Sequence, residues 1–491
     1  MPAGQKLTAG QLAAHIDKLI LARLRADDAD PSPRASDEEF LRRAYLDITG
    51  KIPPADRAAE FLDSKDSNKR AKLIDQLLAS KDFGRHLADV WQRLLLPRDS
   101  DNRRLMQYYP HLVGWLEERF NANPGWDVTV KEILTATGPV EKNGPVIYWL
   151  ANNSADKVTD SVGRMFLGVQ VQCAQCHNHP FADWKQTDYW GLASFFLHVR
   201  PTGNPKAAAK KGESVGIVEN ANAKRGKRVM LPESAKVLPP KFLQGAQPRL
   251  GPNAARRPAL AEWMTSAKNP FFAKAMVNRL WGQLFGRGIV HPVDDLFAAN
   301  AASHPELLAD LEQQFAANKF DVKYLIRAIC NSETYQRTSK PHGGNSQAGP
   351  ELFARMAIKP LTPEQLYDAL THLTGAERRP ALRNRAQMKG GAGGPREAFV
   401  NFFSAEDGAD PTEYQTGIPQ VLRLMNSPQF NNAAALAPLV RSGNGPDEVI
   451  ERLFLTVLAR RPTAEERDRV QELLRQEQGN RRERRRRAVG G

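Results

Sequence analysis

The sequence predicts a mainly α protein: several helical bundles, multi-domain in organisation, with one small β-containing linker segment. Three observations predict it. Apolar residues recur with helical spacing over most of the chain, which gathers them on one side of each segment. A single stretch, 200–252, replaces that pattern with Pro, Gly and β-branched residues. No period of the solenoid kind repeats. At 491 residues the chain is too long for one simple core and suits about three domains. A hydrophobic content of 41% and a charged content of 25% exclude wholesale disorder.

Residues 1–34 read as an N-terminal helix and extension, and 35–200 as a first helical domain. Phe40, Leu41, Ala44, Tyr45 and Ile48 form an apolar stripe that Gly50 stops, and Pro53-Pro54 open the next turn. Leu73, Ile74, Leu77 and Leu78 make a second stripe, and Leu87, Val90, Trp91, Leu94 and Leu95 a third. Short connections between them argue antiparallel packing. Two more helices lie in 108–138, with Trp115, Leu116 and Phe120, then Ile133 and Leu134, on their apolar sides. Between Asp160 and His198 the chain reads helix, turn, helix. Asp160 or Ser161 serves as cap, Met165, Phe166 and Val169 lie on one side, and Pro180 ends the helix near Asn178.

Residues 201–252 read as a basic, Pro/Gly-rich linker in which Val215, Ile217 and Val218, and then Val229, Met230 and Leu231, form short strands. Residues 253–476 return to helices: Leu260, Trp263 and Met264; Ala275, Met276, Leu280 and Leu284; Leu307, Leu308, Leu311 and Phe315; Tyr324, Leu325, Ala328 and Ile329. Within this second helical domain a Gly-rich loop spans 389–395, and 477–491 form a basic tail.

The net charge of +14 is concentrated. Segment 201–250 holds ten basic residues against Glu213, Glu219 and Glu233, and the tail from Asn480 holds six arginines against Glu483. Only a surplus of two remains for the rest of the chain. Both stretches read as flexible and suited to nonspecific polyanion contact through 206–228 and 481–487. No stacking aromatics interleave with them, which argues against a nucleic-acid role. No apolar run approaches the ~18 residues of a membrane span. The N-terminal MPAGQKLTAGQLAAHIDKLILARL does not read as a signal peptide.

One cluster carries sharp chemistry. Cys173-Ala174-Gln175-Cys176-His177 is the C-x-x-C-H pattern of covalent haem attachment. Cysteines three apart on a helix share a face, so both thiols reach the two vinyl groups of one porphyrin, and the next residue places an imidazole on the iron. With three cysteines in the whole chain, such a pair followed directly by histidine is not a chance cluster. Other uses of the same residues stay open. A zinc site can draw on Cys173, Cys176, His177 and His179, although adjacent His177 and Pro-preceding His179 make a cramped tetrahedron. A thioredoxin-like redox pair needs a βαβ setting that the helical flanks deny. Two buried thiols beside a core histidine are the plainest alternative.

His179 reads as a group that supports the haem, for instance through a propionate, or as a turn-stabilising histidine. Trp184, Tyr189, Trp190, Phe195 and Phe196 can wall a porphyrin or form plain core. Met165, His198, Met276 and His291 are candidates for the sixth iron position. Cys330 reads as a buried free thiol. H-E-x-x-H, G-x-S-x-G and Walker motifs are absent, and the adjacent pairs Asp294-Asp295 and Glu117-Glu118 are weak acid/base candidates. The polar stretches 278–281 and 291–295 read as a packing and hydrogen-bond cluster rather than an active site.

At these residues the chain resembles a family. Phe40-Leu41-Arg42-Arg43-Ala44-Tyr45-Leu46-Asp47-Ile48-Thr49-Gly50, Ile52-Pro53-Pro54 and the stretch Cys173 to Trp184 are similar to the planctomycete-type cytochrome-c-like domain. Arg257-Pro258, Val277 to Trp281, Gly286 to Val290, Ser332 to Gln336 and Leu458 to Pro462 resemble its usual downstream partner domain, and neither domain has a characterised function. The resemblance implies a secreted protein with haem held by Cys173 and Cys176 and His177 as proximal ligand. Haem c attachment happens outside the cytoplasm, so a leader ahead of the first residue is the expectation, with a cytoplasmic location as the alternative. The resulting reading is an extracytoplasmic c-type haem protein, an electron-transfer or redox component serving a partner protein; a haem-dependent oxidoreductase is the enzyme class compatible with it. A zinc-stabilised helical binding or scaffolding protein and a polyanion-binding protein are the alternatives.

Overall fold

Local signals set the helix boundaries of the first part. The computed structural model describes residues 5–97, 105–203, 214–220, 238–251, 254–374, 394–403, 417–427 and 445–489. Helix α1 (Ala9–Ala26) opens with a capping box, the Thr8 hydroxyl accepting from the Gln11 N–H while the Gln11 side chain accepts from the Thr8 N–H. Helix α2 (Asp37–Thr49) starts at Ser36, whose hydroxyl accepts from the Glu39 N–H, with Asp37, Glu38 and Glu39 favouring the positive end of its dipole. Gly50 ends it at φ 68°, as the sequence predicts. A Cβ there meets His86 Nδ1 at 2.5 Å, so glycine is required by sterics as well as by dihedral.

Helices α3 (Ala55–Asp63), α4 (Lys69–Ala79), α5 (Lys81–Leu95), α6 (Tyr109–Ala122) and α7 (Trp126–Thr135) follow, each burying its apolar stripe. Trp91 of α5 and Trp126 of α7 pack with ring centroids 4.3 Å apart, and Phe166 joins both at 6.5 and 6.2 Å. This aromatic cluster is the floor behind α8 (Val146–Ala151), α9 (Ala155–Val162) and α10 (Gln186–Ala193).

The linker holds one of its two expected strands. Strand β3 (Gly216–Glu219) pairs antiparallel with both β1 (Gly138–Pro139) and β2 (Val199–Thr202), in the order β1-β3-β2. The other expected strand, 229–231, lies outside the described residues, as do 206–213 and 221–228 of the basic stretch and 389–393 of the Gly-rich loop.

The C-terminal part contributes α11 (Arg257–Met264), α12 (Phe272–Phe285), α13 (Pro305–Ala317), α14 (Val322–Asn331), α15 (Glu333–Gln336), α16 (Pro363–Thr374), α17 (Pro395–Phe403), α18 (Ile418–Asn426), α19 (Pro446–Leu458) and α20 (Ala464–Val489). The arginine run at 481–487 lies within α20 rather than in an irregular tail, in keeping with the good helix propensity of arginine. The molecule is mainly α. No helix among the described residues is long and apolar enough to cross a membrane.

The two helical parts share one continuous apolar core, from Leu12 to Leu455. Polar bonds reinforce it. Asp17 on α1 accepts from the Glu333 and Thr334 N–H groups at 2.8 Å each, capping α15 from the far end of the chain. The Glu39 carboxylate accepts from Thr338 Oγ1 at 2.6 Å and the Ser339 N–H at 2.8 Å. Arg43 donates to the Tyr335 and Arg337 carbonyls at 2.7 and 2.9 Å. Asp47, nearly buried, accepts from the Tyr335 hydroxyl at 2.9 Å and from Lys359 Nζ at 2.6 Å. Lys359 Nζ also donates to the Gln283 and Leu284 carbonyls at the C-terminus of α12, where a cation is favoured.

Removing one member of such a pair strands the other. Asp47→Ala is expected to lower unfolding free energy by about 3–5 kcal/mol, measured by denaturant titration, whereas a surface control, Glu262→Ala, changes it by less than about 1 kcal/mol. A second expectation concerns acid. Burial pushes His86 down to about 4, with Asp89 only partly opposing. The unfolded chain then binds the extra proton first, so His86 makes stability fall as pH drops from about 6.5 to about 4. His86→Gln removes that contribution, and denaturation midpoints measured across this range should slope less steeply in the variant.

Candidate functional site

The segment 155–198 is built differently from the simple helix, turn, helix expectation. Helix α9 starts at Ala155 with Ser154 as its N-cap residue, which puts Asp160 in its last turns rather than at its cap. A π-turn at Gly163–Leu167 then widens the helix, and Gly168 stops it at φ 66°. A Cβ on Gly168 meets Leu296 Cδ1 at 2.7 Å and Ala275 Cβ at 3.0 Å, so only glycine lets the chain turn this close to its neighbours. The Leu296 N–H donates to the Gly168 carbonyl at 2.8 Å.

The cysteine pair therefore sits on a separate 3₁₀ turn, Gln172–Gln175, rather than on a continuing α-helix. Cys173 lies within this turn and Cys176 follows directly as its C-cap residue. Both are free thiols and both are exposed, which removes the reading of two buried thiols. Ala174, between them, is buried and fixes the turn to the protein.

The carbonyls of the turn are held from behind. Gln186 Nε2 donates to the Gln175 and Cys176 carbonyls at 3.1 and 2.9 Å, and Trp190 Nε1 donates to the Gln175 carbonyl at 3.0 Å. Asn178 Oδ1 accepts from the Gln186 N–H at 3.0 Å at the start of α10, so turn and helix anchor one another. Lys241 Nζ pairs with Asp188 at 2.8 Å on the same helix. Gln186, Trp190 and Asn178 are the positioning residues that sequence reasoning missed; a spacing of about ten residues across a loop gives no periodic signal.

The two histidines have opposite tautomers. His177 is exposed and its Nδ1 lies 2.7 Å from the Asn178 carbonyl. A carbonyl only accepts, so Nδ1 carries a hydrogen. His179 Nδ1 accepts from the Phe181 and Ala182 N–H groups at 3.2 and 2.9 Å. Its hydrogen is therefore on Nε2, and the residue stabilises the turn. A neutral His179 in this state presents a donor, not a ligand lone pair. Among the described residues no group of three or more His, Cys, Asp or Glu side chains is gathered closely enough to hold a metal ion.

Of the two readings of the aromatics that follow the motif, plain core is the one these residues take. Trp184, Tyr189, Trp190, Phe195 and Phe196 are all buried. Trp184 packs on Phe271 at 6.1 Å, Phe195 on Phe242 at 5.4 Å and Phe196 on Trp149 at 5.7 Å. Phe181, inside the motif, is the aromatic that faces solvent, at 80% exposure. Met165 and Met276 are buried, and His198 and His291 partly so. Cys330 is fully buried, and burial pushes its thiol well up.

Beside the turn the stretches 278–281 and 291–295 meet. Asn278 bridges the Val290 N–H and the Val290 and Val293 carbonyls, and Arg279 donates to the Arg164 carbonyl at 2.9 Å. Asp294 accepts from Arg164 at 2.8 Å and Gln170 at 3.2 Å, while burial and Asp294 raise Asp295, with His179 opposing. These contacts form a packing and hydrogen-bond cluster. Glu117 instead faces Arg85 at 3.5 Å. Gln170, His179, Trp184, Asp295 and Phe297 line a shallow cleft with no internal room for a water molecule.

The residues present fit covalent attachment of a haem: two exposed thiols, an adjacent exposed imidazole, and a rigid support. The cleft is too small to enclose a macrocycle, so the fit is that of a surface attachment point.

No curated protein and no solved structure matches the chain. Residues 15–201 match the family PSCyt2, a protein of unknown function (DUF1549), and residues 256–391 match PSD1, a protein of unknown function (DUF1553). The chain thus carries these two uncharacterised domains, in that order.

Proposed function

We propose that the turn at 172–177 is the attachment point of a haem c and that the chain is an extracytoplasmic electron-transfer component. The observation that carries this reading is the C-x-x-C-H turn itself, with both thiols free and exposed and the His177 Nδ1 turned to the Asn178 carbonyl. Cys173 and Cys176 would hold the group through thioethers, His177 Nε2 would take its iron, and the bound group would supply a one-electron couple.

The chain's own residues then have distinct tasks. Gln186 and Trp190 hold the backbone of the turn in place through its carbonyls. The Asn178 carbonyl holds the His177 ring in its ligating tautomer, the role a carbonyl commonly plays behind a metal-bound imidazole. Exposure of the turn and of Phe181 leaves one side open to a redox partner protein. Haem c is attached outside the cytoplasm, so this reading places the chain in the periplasm or beyond the cell. A zinc site at the same cluster is disfavoured because His179 offers an N–H where zinc needs a lone pair.

Expression with a haem-maturation system is expected to give coloured protein with the pyridine haemochrome spectrum of a twice-linked haem. Cys173→Ser and Cys176→Ser each leave one thioether and shift that spectrum; the double variant loses covalent haem. His177→Ala is expected to lower haem content at least tenfold. Colourless wild-type protein with two freely titrating thiols at this turn overturns the reading.

A further inference from the structure

The 3₁₀ turn is backed on one side by α10, whose Gln186 and Trp190 are bonded to its carbonyls. A loop of the second domain, 294–297, is fastened to the chain that leads into the turn. Arg164 donates to the Asp294 carboxylate at 2.8 Å and Gln170 donates to it at 3.2 Å. The Leu296 N–H donates to the Gly168 carbonyl at 2.8 Å. Residues 164–179 fall in the PSCyt2 match and 294–297 in the PSD1 match. The two domains are thus bonded together two residues ahead of the cysteine turn.

The shallow cleft lies where they meet. The first domain gives it His179, two residues after His177, with Ala182 and the buried Trp184; the second gives it Asp295, Leu296 and Phe297. Phe297 is half-buried, and its loop is preset. The Phe297 N–H donates to the Asp295 carbonyl at 3.1 Å, and the Asn300 N–H donates to the Phe297 carbonyl at 3.0 Å. Asn300 Nδ2 closes the loop on the Asp295 carbonyl at 2.9 Å. A surface without room for a water molecule takes no ligand in, but it can carry a flat one. A porphyrin is flat, and its broad apolar faces leave water most favourably against aromatic and aliphatic side chains.

We infer that the second domain completes the cofactor site: a haem held at 173–177 lies over this cleft, with Phe297 as its wall. The inference rests on the haem reading of that turn. The anchors decide the occupant. A group tied through Cys173, Cys176 and His177 stays within reach of the residues beside the turn, and His179 puts the cleft among them. Phe297 is then a cofactor-contact residue, supplied from over a hundred positions beyond the cysteines, and it keeps water from part of the macrocycle. Shielding from water favours the reduced, less charged form of a haem, so loss of the ring lowers the potential.

The test uses the full chain, matured with haem and isotope-labelled in its phenylalanine rings for magnetic resonance. The Phe297 signal is identified by its loss in Phe297→Leu. In the ferrous protein it is expected to be displaced by the ring current of the neighbouring macrocycle, relative to the haem-free double variant Cys173→Ser/Cys176→Ser. Potentiometric titration supplies a second readout. Phe297→Ser, at haem content equal to wild type, is expected to show a ferrous-to-ferric ratio about threefold lower at fixed potential. Phe297→Leu, which keeps an apolar side chain, is expected to fall between the two. An undisplaced Phe297 signal, or a Phe297→Ser potential equal to that of wild type, overturns the seat while leaving the haem reading intact. Failure of haem to attach overturns the haem reading and this seat with it.

Discussion

Three hydrogen bonds from α10 to the carbonyls of Gln175 and Cys176 are the constraint on which the functional account depends. A short 3₁₀ turn has poor internal hydrogen bonding and persists when something else satisfies its backbone. Gln186 and Trp190 do that from the protein side, so the turn is held with both thiols and the imidazole exposed. The cost falls on α10, which has to be held rigidly in turn. Buried Trp190 and Tyr189, the Asn178 contact at its start and the Lys241–Asp188 pair all serve that end.

A second layer of constraint joins the two family-matched parts. Asp47, Glu39 and Arg43 of α2 hold the segment 335–339 and Lys359, and the shared apolar core closes around them. This explains in physical terms two stretches that stand out in the sequence, 40–50 and 332–336. They are opposite sides of one interface, where a buried carboxylate meets a phenol and an ammonium. The loop at 291–297 and the Gly168 stop extend the same interlock to the 3₁₀ turn, so the surface attachment point is braced by residues over a hundred positions away.

Much of the architecture is legible in the sequence because helices announce themselves locally. Apolar period, Gly50 and Pro53-Pro54 suffice to place the first helices, and the C-x-x-C-H spacing marks the site residues. The departures have specific causes. Cys173 and Cys176 leave the helix because Gly168, pressed against Leu296 and Ala275, ends it early, and that contact is tertiary. Tyr189 and Trp190 are core because most of α10 is buried, and Trp184 just ahead of it is buried too. Asp160 reads as a cap by residue type, yet Ser154 already stands at the start of its helix. The tautomers of His177 and His179 depend on which backbone groups face each ring, and no sequence pattern encodes that.

The central claim is covalent: one turn, two sulfurs, one tetrapyrrole. Intact-mass and peptide mass spectrometry of denatured, reduced protein from a maturation-competent periplasm test it most directly. The account predicts a mass increase of one haem, retained after denaturation and localised to the peptide carrying Cys173, Cys176 and His177. An unmodified peptide with two alkylatable thiols, from cells that mature a control cytochrome in the same culture, contradicts it.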